Sequence, residues 1–197
     1  MKIYHDGRTR SLRVVWMAEE LGLDYQAIPV ELGSAELVAV NPLGTLPAFV
    51  DGDVRMSESM AIVQYLAGRY GPTPIALEPE DPDYAAYLQF LWLGEASIAM
   101  PFTLRILNMF MAPEKLKGGW IEHYTQNAMP KRIQHVADRL AEHDYIVGNR
   151  FTAADISLFH ALGAVELVGL ENEVTPSIAA YRERIKSRPA FQRAVAK

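Results

Sequence analysis

Four prolines fall among the twelve residues from Gly71 to Pro82, and this stretch constrains the fold more than any other feature of the chain. Proline has no backbone N–H and disfavours helix in the residue before it, so regular structure cannot continue through such a segment. Domain boundaries favour segments of this composition. We therefore predict two domains, residues 1–71 and 83–197, joined by a proline-rich linker at 72–82.

The segment before the linker alternates between strand-like and helix-like patterns. Short runs with a two-residue period indicate strands, and apolar residues at helical spacing indicate helices. An Asp-Gly pair between two apolar runs is a strong hairpin signal. The predicted elements are strands at Lys2–His5 and Tyr25–Glu31, helices at Ser11–Leu21 and Ser59–Tyr70, and a hairpin over 47–56 around Asp51 and Gly52.

The segment after the linker has helical periodicity to its end. The predicted helices are Asp83–Met111, Glu122–Glu142, Ala153–Leu167, Ser177–Ser187 and Pro189–Val195. An order of β-α-β, then β-β-α, then helices alone predicts an α+β layer followed by an all-α domain.

Composition excludes several classes of function. The net charge of −5 and a pI near 5.6 provide no basic field for nucleic acid. The chain has no cysteine, which removes disulfides and any protein-thiol nucleophile. The first residues, Met1–Asp6, become charged too early for a secretory signal, and Pro101 and Arg105 interrupt the most apolar run. We therefore predict a cytoplasmic protein that engages neither membrane nor nucleic acid.

Two short segments have the chemistry of a ligand site. Pro47 follows a glycine-containing loop and precedes a strand, where a cis bond would turn the chain and expose the Leu46 backbone to a peptide-like ligand. Glu58 and Ser59 open a helix, where a hydroxyl and free N–H groups suit a carboxylate and the Glu58 side chain suits an ammonium.

A third segment, Thr152 to Asp155, has the spacing of a capping box in which Asp155 replaces the usual glutamate. We interpret Thr152 and Asp155 as folding residues. The three segments Asn41–Phe49, Ser57–Leu66 and Val147–Ser157 together resemble the soluble glutathione transferase family across both domains.

This resemblance implies a thioredoxin-like domain at 1–71 and an all-helical domain that lines a pocket for an electrophile. It implies glutathione as co-substrate, with its cysteinyl part against Leu46 and Pro47 and its γ-glutamyl end at Glu58 and Ser59. The implied reaction activates the thiol for attack on a small hydrophobic electrophile, a detoxification reaction, and requires no metal. Alternative functions are those of a glutathione-dependent isomerase or dehalogenase, and of a non-catalytic binding or regulatory protein of the same fold.

The activating group is expected near the start of the first helix. Asp6–Trp16 resembles the bacterial hydroxyl-using members, whose loop runs Ser-Arg-Ser, and Thr9 takes the position of the activating serine. Ser11 and Tyr4 are alternatives, and activation by backbone amides alone also remains open. Arg10 stands where some members carry a catalytic cysteine.

Recognition of the glycine carboxylate is the least defined part of the implied site. Thr45 stands where many members carry lysine or another polar group, and an arginine such as Arg10 or Arg13 is expected to compensate.

Methionine and aromatic residues on the first helix of the second domain suit an adaptable pocket for the electrophile. The candidates are Met100, Phe102, Arg105 and Met109, with Arg105 expected to orient an anionic substrate or the thiolate. The five histidines show no paired spacing, which predicts no metal site. The family resemblance also implies a homodimer, with candidate faces holding Met60, Gln64, Tyr87, Leu91 and Glu95.

Overall fold

The computed structural model describes residues 1–197. The chain forms two compact units, one of Met1–Ala76 together with Lys186–Lys197 and the other of Leu77–Ile185. The first unit contains a sheet with helices, and the second contains helices only. This architecture confirms the predicted α+β domain followed by an all-helical domain.

A four-stranded sheet in the order β2-β1-β3-β4 organises the first unit. Its strands are β1 (Lys2–His5), β2 (Gln26–Pro29), β3 (Ala48–Asp51) and β4 (Val54–Met56). β1 runs parallel to β2 and antiparallel to β3, and β3 and β4 form the predicted hairpin. The connection from β1 to β2 is a helical crossover, as a parallel pair requires.

The helices of the first unit are α1 (Ser11–Glu20), α2 (Ala35–Val40), α3 (Ser59–Tyr70) and α9 (Pro189–Val195). The sequence patterns did not predict α2. They also grouped the last residues with the helical domain, whereas α9 packs against α1. Trp16 and Phe191 meet edge to face at 4.9 Å, and Arg188 makes two 2.8 Å bonds to the Glu20 carboxylate.

The helical unit contains α4 (Tyr84–Trp92), α5 (Met100–Phe110), α6 (Trp120–Glu142), α7 (Ala153–Leu162) and α8 (Pro176–Lys186). The predicted helix Asp83–Met111 is divided between α4 and α5 by a π-helical segment, Leu93–Ala99. Ser157 Oγ donates to the Leu91 carbonyl at 2.8 Å, which diverts an acceptor of the helix. A Cβ at Gly94 would lie 2.5 Å from Ser157 Oγ, so only glycine permits this close packing on α7.

Together, α4, the π-helical segment and α5 make one 27-residue helical stretch, Tyr84–Phe110, whose length and apolar composition would allow it to cross a membrane. A core helix of a soluble protein meets the same criterion, and 44% of its most apolar window is buried within the chain. The proposed dimer faces need correction, because Met60, Tyr87 and Leu91 are buried within a single chain.

Candidate functional site

Three segments of the first unit meet at one edge of the sheet. Tyr4 of β1 lies opposite Ala48 of β3 in an antiparallel pair, so the loop leaving β1 and the loop entering β3 emerge together. Arg13 of α1 donates from Nη1 to Ser59 Oγ at 3.2 Å and brings the start of α3 to the same place. Loop 6–10, loop 41–47 and the first turn of α3 therefore border one candidate site.

Loop 41–47 is held in shape by a single buried side chain. Asn41 Nδ2 donates to the Thr45 carbonyl at 2.7 Å and to Thr45 Oγ1 at 3.2 Å, and Asn41 Oδ1 accepts from Leu43 N–H. Gly44 has φ 64°, a left-handed conformation that glycine adopts without strain. The loop thus presents Thr45 as an exposed residue of fixed orientation.

The Leu46–Pro47 peptide bond is cis, which confirms that expectation. The ladder between β1 and β3 begins at Ala48, so neither the N–H nor the C=O of Leu46 belongs to the sheet. The Leu46 side chain instead packs into an apolar cluster with Tyr4, Leu37 and Ala48. The side chain is therefore fixed in the core while the backbone polar groups stay outside the sheet's hydrogen bonding.

The start of α3 combines an exposed acid with a buried hydroxyl. Glu58 is the N-cap residue, with extended backbone and an exposed side chain, and Ser59 is the first residue of the helix and is 3% exposed. Ser59 Oγ accepts from Arg13, a fully buried side chain. Because this bond uses a lone pair of Ser59, its own proton is available for an acceptor such as a carboxylate.

The loop after β1 contains a compact set of hydrogen bonds, here called the hydroxyl cluster, formed by His5, Thr9, Ser11 and the backbone of Asp6. Ser11 Oγ lies 2.8 Å from His5 Nδ1 and 2.8 Å from Thr9 Oγ1. It accepts from Asp6 N–H at 3.1 Å and lies 3.1 Å from the Asp6 carbonyl. Thr9 Oγ1 lies 2.9 Å from that carbonyl, to which it can donate.

Burial differs sharply among the three candidate activating groups. Ser11 is completely buried, and Tyr4 is 8% exposed in the apolar cluster. Thr9 is half-buried and directly precedes Arg10, the N-cap residue of α1. Thr9 is therefore the most exposed residue of the three.

Charges near the hydroxyl cluster shift two pKa values. Hydrogen bonds from the Arg8 side chain and backbone lower the pKa of Asp6 to about 2, so Asp6 is a carboxylate at neutral pH. Burial lowers the pKa of His5, against a smaller raising effect of the Asp6 charge. His5 is therefore neutral at pH 7, and its role depends on which ring nitrogen carries the proton.

The four candidate residues for the electrophile pocket do not share one face of α5. Phe102, Arg105 and Met109 follow helical spacing on one side, whereas Met100 is 45% exposed on the opposite side. Arg105 is 6% exposed and makes one long bond, from Nη1 to Thr125 Oγ1 at 3.4 Å. Its Nε and the nearby Asn108 Nδ2 are buried without a hydrogen-bond partner.

Comparison with known proteins identifies the family of this chain. Residues 1–68 match the N-terminal domain of glutathione S-transferases, and residues 103–197 match their C-terminal domain. Glutathione S-transferase 3 of Zea mays is 32% identical over 94% of this chain and 88% of its own length. The chain belongs to the glutathione S-transferase family.

Solved glutathione S-transferase structures share the fold over nearly the whole chain. A glutathione transferase of Methylococcus capsulatus has a TM-score of 0.85 at 28% identity and covers 99% of this chain and 97% of its own. A sphingomonad glutathione S-transferase complexed with glutathione has a TM-score of 0.84 at 25% identity, covering 100% of this chain and 98% of its own.

Three residues of the candidate site in this glutathione S-transferase family member were not identified from the sequence. His5 ends a strand, Asn41 precedes a proline, and Arg13 was considered only for the glycine carboxylate, whereas it bonds Ser59. A charged residue within the apolar stretch of α1 was the available signal for Arg13. Groups of three or more side chains suited to a metal ion are absent.

Proposed function

We propose that the chain is a hydroxyl-type glutathione transferase that activates the glutathione thiol with Thr9. One observation carries the assignment: Thr9 is a half-buried residue at the start of α1, while Ser11 and Tyr4 are buried. Thr9 Oγ1 accepts from Ser11 N–H at 3.3 Å and donates to the Asp6 carbonyl at 2.9 Å, and a bound thiolate, as a charged acceptor, would take that proton from the carbonyl.

The energetic demand on such a hydroxyl is modest. Lowering a thiol pKa from about 8.5 by two units requires about 2.7 kcal/mol of preference for the thiolate. A hydrogen bond to a charged group contributes about 1.5–3 kcal/mol. A helix N-terminus adds about 0.3–1 kcal/mol. Thr9 at the start of α1 therefore suffices without a protein thiol or a metal.

The remaining glutathione contacts follow from the same edge of the sheet. We assign the cysteinyl backbone to the Leu46 N–H and C=O beside Pro47, the γ-glutamyl carboxylate to Ser59, and the ammonium to Glu58. The buried Arg13 cation behind Ser59 favours an anion there. The glutathione carried by the sphingomonad relative supports this ligand for the present chain.

The glycine end of glutathione is assigned to Thr45 and Arg10. Thr45 is exposed and held by Asn41, and Arg10 caps the helix that follows Thr9. Neither provides the fixed lysine that many relatives use, so most of the binding energy is expected from the γ-glutamyl and cysteinyl contacts.

The second substrate is a hydrophobic electrophile that contacts Phe102, Arg105 and Met109. A buried guanidinium without an ion pair is costly, and an anion beside it recovers part of that cost. The unpartnered Arg105 Nε and Asn108 Nδ2 therefore favour electrophiles that carry a carboxylate. Conjugation of such compounds is a detoxification reaction.

The test compares Thr9→Val, which keeps the shape and removes the donor, with Thr9→Ser, which keeps the donor. Losing one charge-assisted hydrogen bond should raise the pKa of the bound thiol by about 1–2 units. Turnover near neutral pH should fall roughly ten- to a hundredfold, with glutathione affinity little changed. Thr73→Val, in the linker region, is the matched control. Thiolate absorbance and an electrophile screen that includes carboxylated compounds provide the measurements.

A Thr9→Val protein that titrates like the parent would transfer the role to Ser11, Tyr4 or backbone amides. Retention on immobilised glutathione with no turnover of any electrophile would favour the binding or regulatory alternative. Release of halide, or isomerisation without a conjugate, would favour the dehalogenase or isomerase alternative.

We further propose that the protein acts as a cytoplasmic homodimer. An apolar stripe on α5, formed by Met100, Leu104 and Leu107, is exposed in the single chain, each residue at 43–45%. Exposed apolar stripes of this kind mark association surfaces. Light scattering should give about twice the chain mass of 22.0 kDa, and a monomer at micromolar concentration would contradict the proposal.

A further inference from the structure

The hydroxyl cluster contains more hydrogen-bond acceptors than protons, so its protons can be arranged in more than one way. Ser11 Oγ carries one proton and accepts one from Asp6 N–H. Three groups lie within reach of the Ser11 proton: His5 Nδ1 at 2.8 Å, Thr9 Oγ1 at 2.8 Å and the Asp6 carbonyl at 3.1 Å. The direction chosen by Ser11 determines what Thr9 can do.

His5 decides between two arrangements of the cluster. If Nδ1 is bare, it accepts the Ser11 proton, and the Thr9 proton can point inward, either to Ser11 Oγ at 2.8 Å or to the Asp6 carbonyl at 2.9 Å. If Nδ1 carries hydrogen, it donates to Ser11, and the Ser11 proton can point to Thr9 Oγ1. The Thr9 proton then has two acceptors, the Asp6 carbonyl and a bound thiolate, and the charged thiolate is the stronger of the two. Chains of hydrogen bonds aligned in this way strengthen one another.

We propose that His5 is a positioning residue for thiol activation, with its Nδ1–H donating to Ser11, Ser11 donating to Thr9, and Thr9 donating to the glutathione thiolate. This inference rests on the proposed role of Thr9. His5 contacts neither glutathione nor the electrophile in this arrangement, and no proton is transferred between residues.

The other ring nitrogen of His5, Nε2, lies at a groove of mixed charge. A Cβ at Gly7 would lie 3.8 Å from Nε2, so the ring edge stands beside this residue. The same groove is lined by Asp6, Glu31 and Lys197, two carboxylates and one cation. The Lys197 ammonium lies 3.9 Å from the Glu19 carboxylate. A hydrogen on Nδ1 is therefore a requirement of the proposal, and the His5 variants test it.

Three substitutions at His5 separate positioning from packing. His5→Asn keeps a short side-chain donor near the place of Nδ1, His5→Gln keeps a polar side chain whose amide reaches the place of Nε2, and His5→Leu removes both. We expect Leu and Gln to raise the pKa of the bound thiol by about 0.5–1 unit and to lower kcat/KM at pH 6.5 about three- to tenfold, one pKa unit corresponding to tenfold. Asn should remain within about twofold of the parent, and KM for glutathione should change little in all three.

A double-mutant cycle tests whether the effect passes through Ser11. Ser11→Ala should raise the thiol pKa at least as much as His5→Leu, and the double variant should be no worse than Ser11→Ala alone. His123→Leu, at an exposed histidine of α6, controls for loss of an imidazole. Thermal unfolding identifies any variant that fails to fold, and His5→Gln then serves in place of His5→Leu.

The outcomes distinguish this inference from the proposed function. If Thr9→Val raises the thiol pKa and neither His5→Leu nor His5→Gln does, the role of His5 is wrong and that of Thr9 stands. If Thr9→Val has no effect, both fail, because the hydrogen-bond chain then ends at no sulfur. Additive effects of Ser11→Ala and His5→Leu would also overturn the inference, since they would act by separate routes.

Discussion

Two helix starts in this molecule use similar chemistry and differ in one respect. At the N-terminus of α7, Asp155 accepts from Thr152 N–H at 2.8 Å, Ile146 N–H at 3.0 Å and Tyr181 Oη–H at 3.2 Å. Thr152, Asp155 and Tyr181 are all fully buried. At the N-terminus of α1, the hydroxyl cluster starts at a buried histidine and ends at the half-exposed Thr9.

The contrast separates a folding device from a candidate catalytic device. In the capping box of α7 each donor that reaches Asp155 is buried, so the arrangement can only stabilise the fold. In the hydroxyl cluster, one end is the half-buried Thr9, and we propose that the buried end, His5, controls the direction of the Thr9 proton. A serine or threonine at a helix start therefore does not by itself indicate function. A series of hydrogen bonds that ends at a partly exposed hydroxyl marks a candidate site.

The largest expected effect comes from breaking the closed arrangement. Asp155→Ala leaves two buried N–H donors, of Thr152 and Ile146, without an acceptor and removes the shorter bond of Tyr181 Oη–H, which keeps the carbonyl of residue 155 at 3.4 Å. Each unsatisfied donor costs about 1–3 kcal/mol, so the free energy of unfolding should fall by about 2 kcal/mol or more. Thr9→Val should change it by less than about 1 kcal/mol while lowering turnover. Urea unfolding followed by circular dichroism measures both.

Asp138→Ala, at an exposed carboxylate of α6, is the control for Asp155→Ala and should stay within about 0.5 kcal/mol of the parent. If Asp155→Ala proved as stable as this control, the capping box would not be a folding device. If Thr9→Val were instead the strongly destabilised variant, the assignment of the two regions would be reversed.

The same contrast explains how far the sequence could predict this molecule. Elements whose patterns are local, such as β1, α1 and the Asp51-Gly52 hairpin, were predicted to within a few residues. The capping box was predicted as well, because its partners lie three residues apart. The π-helical segment was not, since it depends on the meeting of Gly94 and Ser157, which are distant in the chain.

Packing of the chain end on α1 was missed for the same reason, because the ion pair between Glu20 and Arg188 joins opposite ends of the sequence. In the candidate site, Leu46, Pro47 and Ser59 followed from recognisable segments. His5 did not, because its proposed role depends on a hydroxyl six residues further along, and strand periodicity explains a histidine at that position equally well.

The smallest and most specific expected effect concerns the pH dependence of the free energy of unfolding. Its sign should differ between the two regions. Burial raises the pKa of Asp155 from 3.8 to about 6, against the opposing effect of the hydrogen bonds that it accepts. Burial lowers the pKa of His5 below 6.5. Between pH 4 and 6 the folded state therefore retains a proton at Asp155 that the unfolded chain has released. Just below pH 6.5 the unfolded chain holds a proton at His5 that the folded state lacks.

Stability rises with pH wherever the unfolded state binds more protons. Asp155 should therefore make the free energy of unfolding fall as pH increases from about 4 to 6, and His5 should make it rise as pH approaches 6.5, each by at most about 1.4 kcal/mol per pH unit. Other carboxylates, such as Asp6 with its lowered pKa, contribute equally to the parent and the variants, so their contributions cancel in the difference between two free energies of unfolding.

Urea unfolding of the parent, Asp155→Asn and His5→Asn at half-unit steps from pH 4 to 7.5 gives the two difference curves. Parent minus Asp155→Asn should decline with pH and parent minus His5→Asn should increase. Two curves of the same sign would mean that one of these groups does not have the buried environment described, and the sign that fails identifies which one.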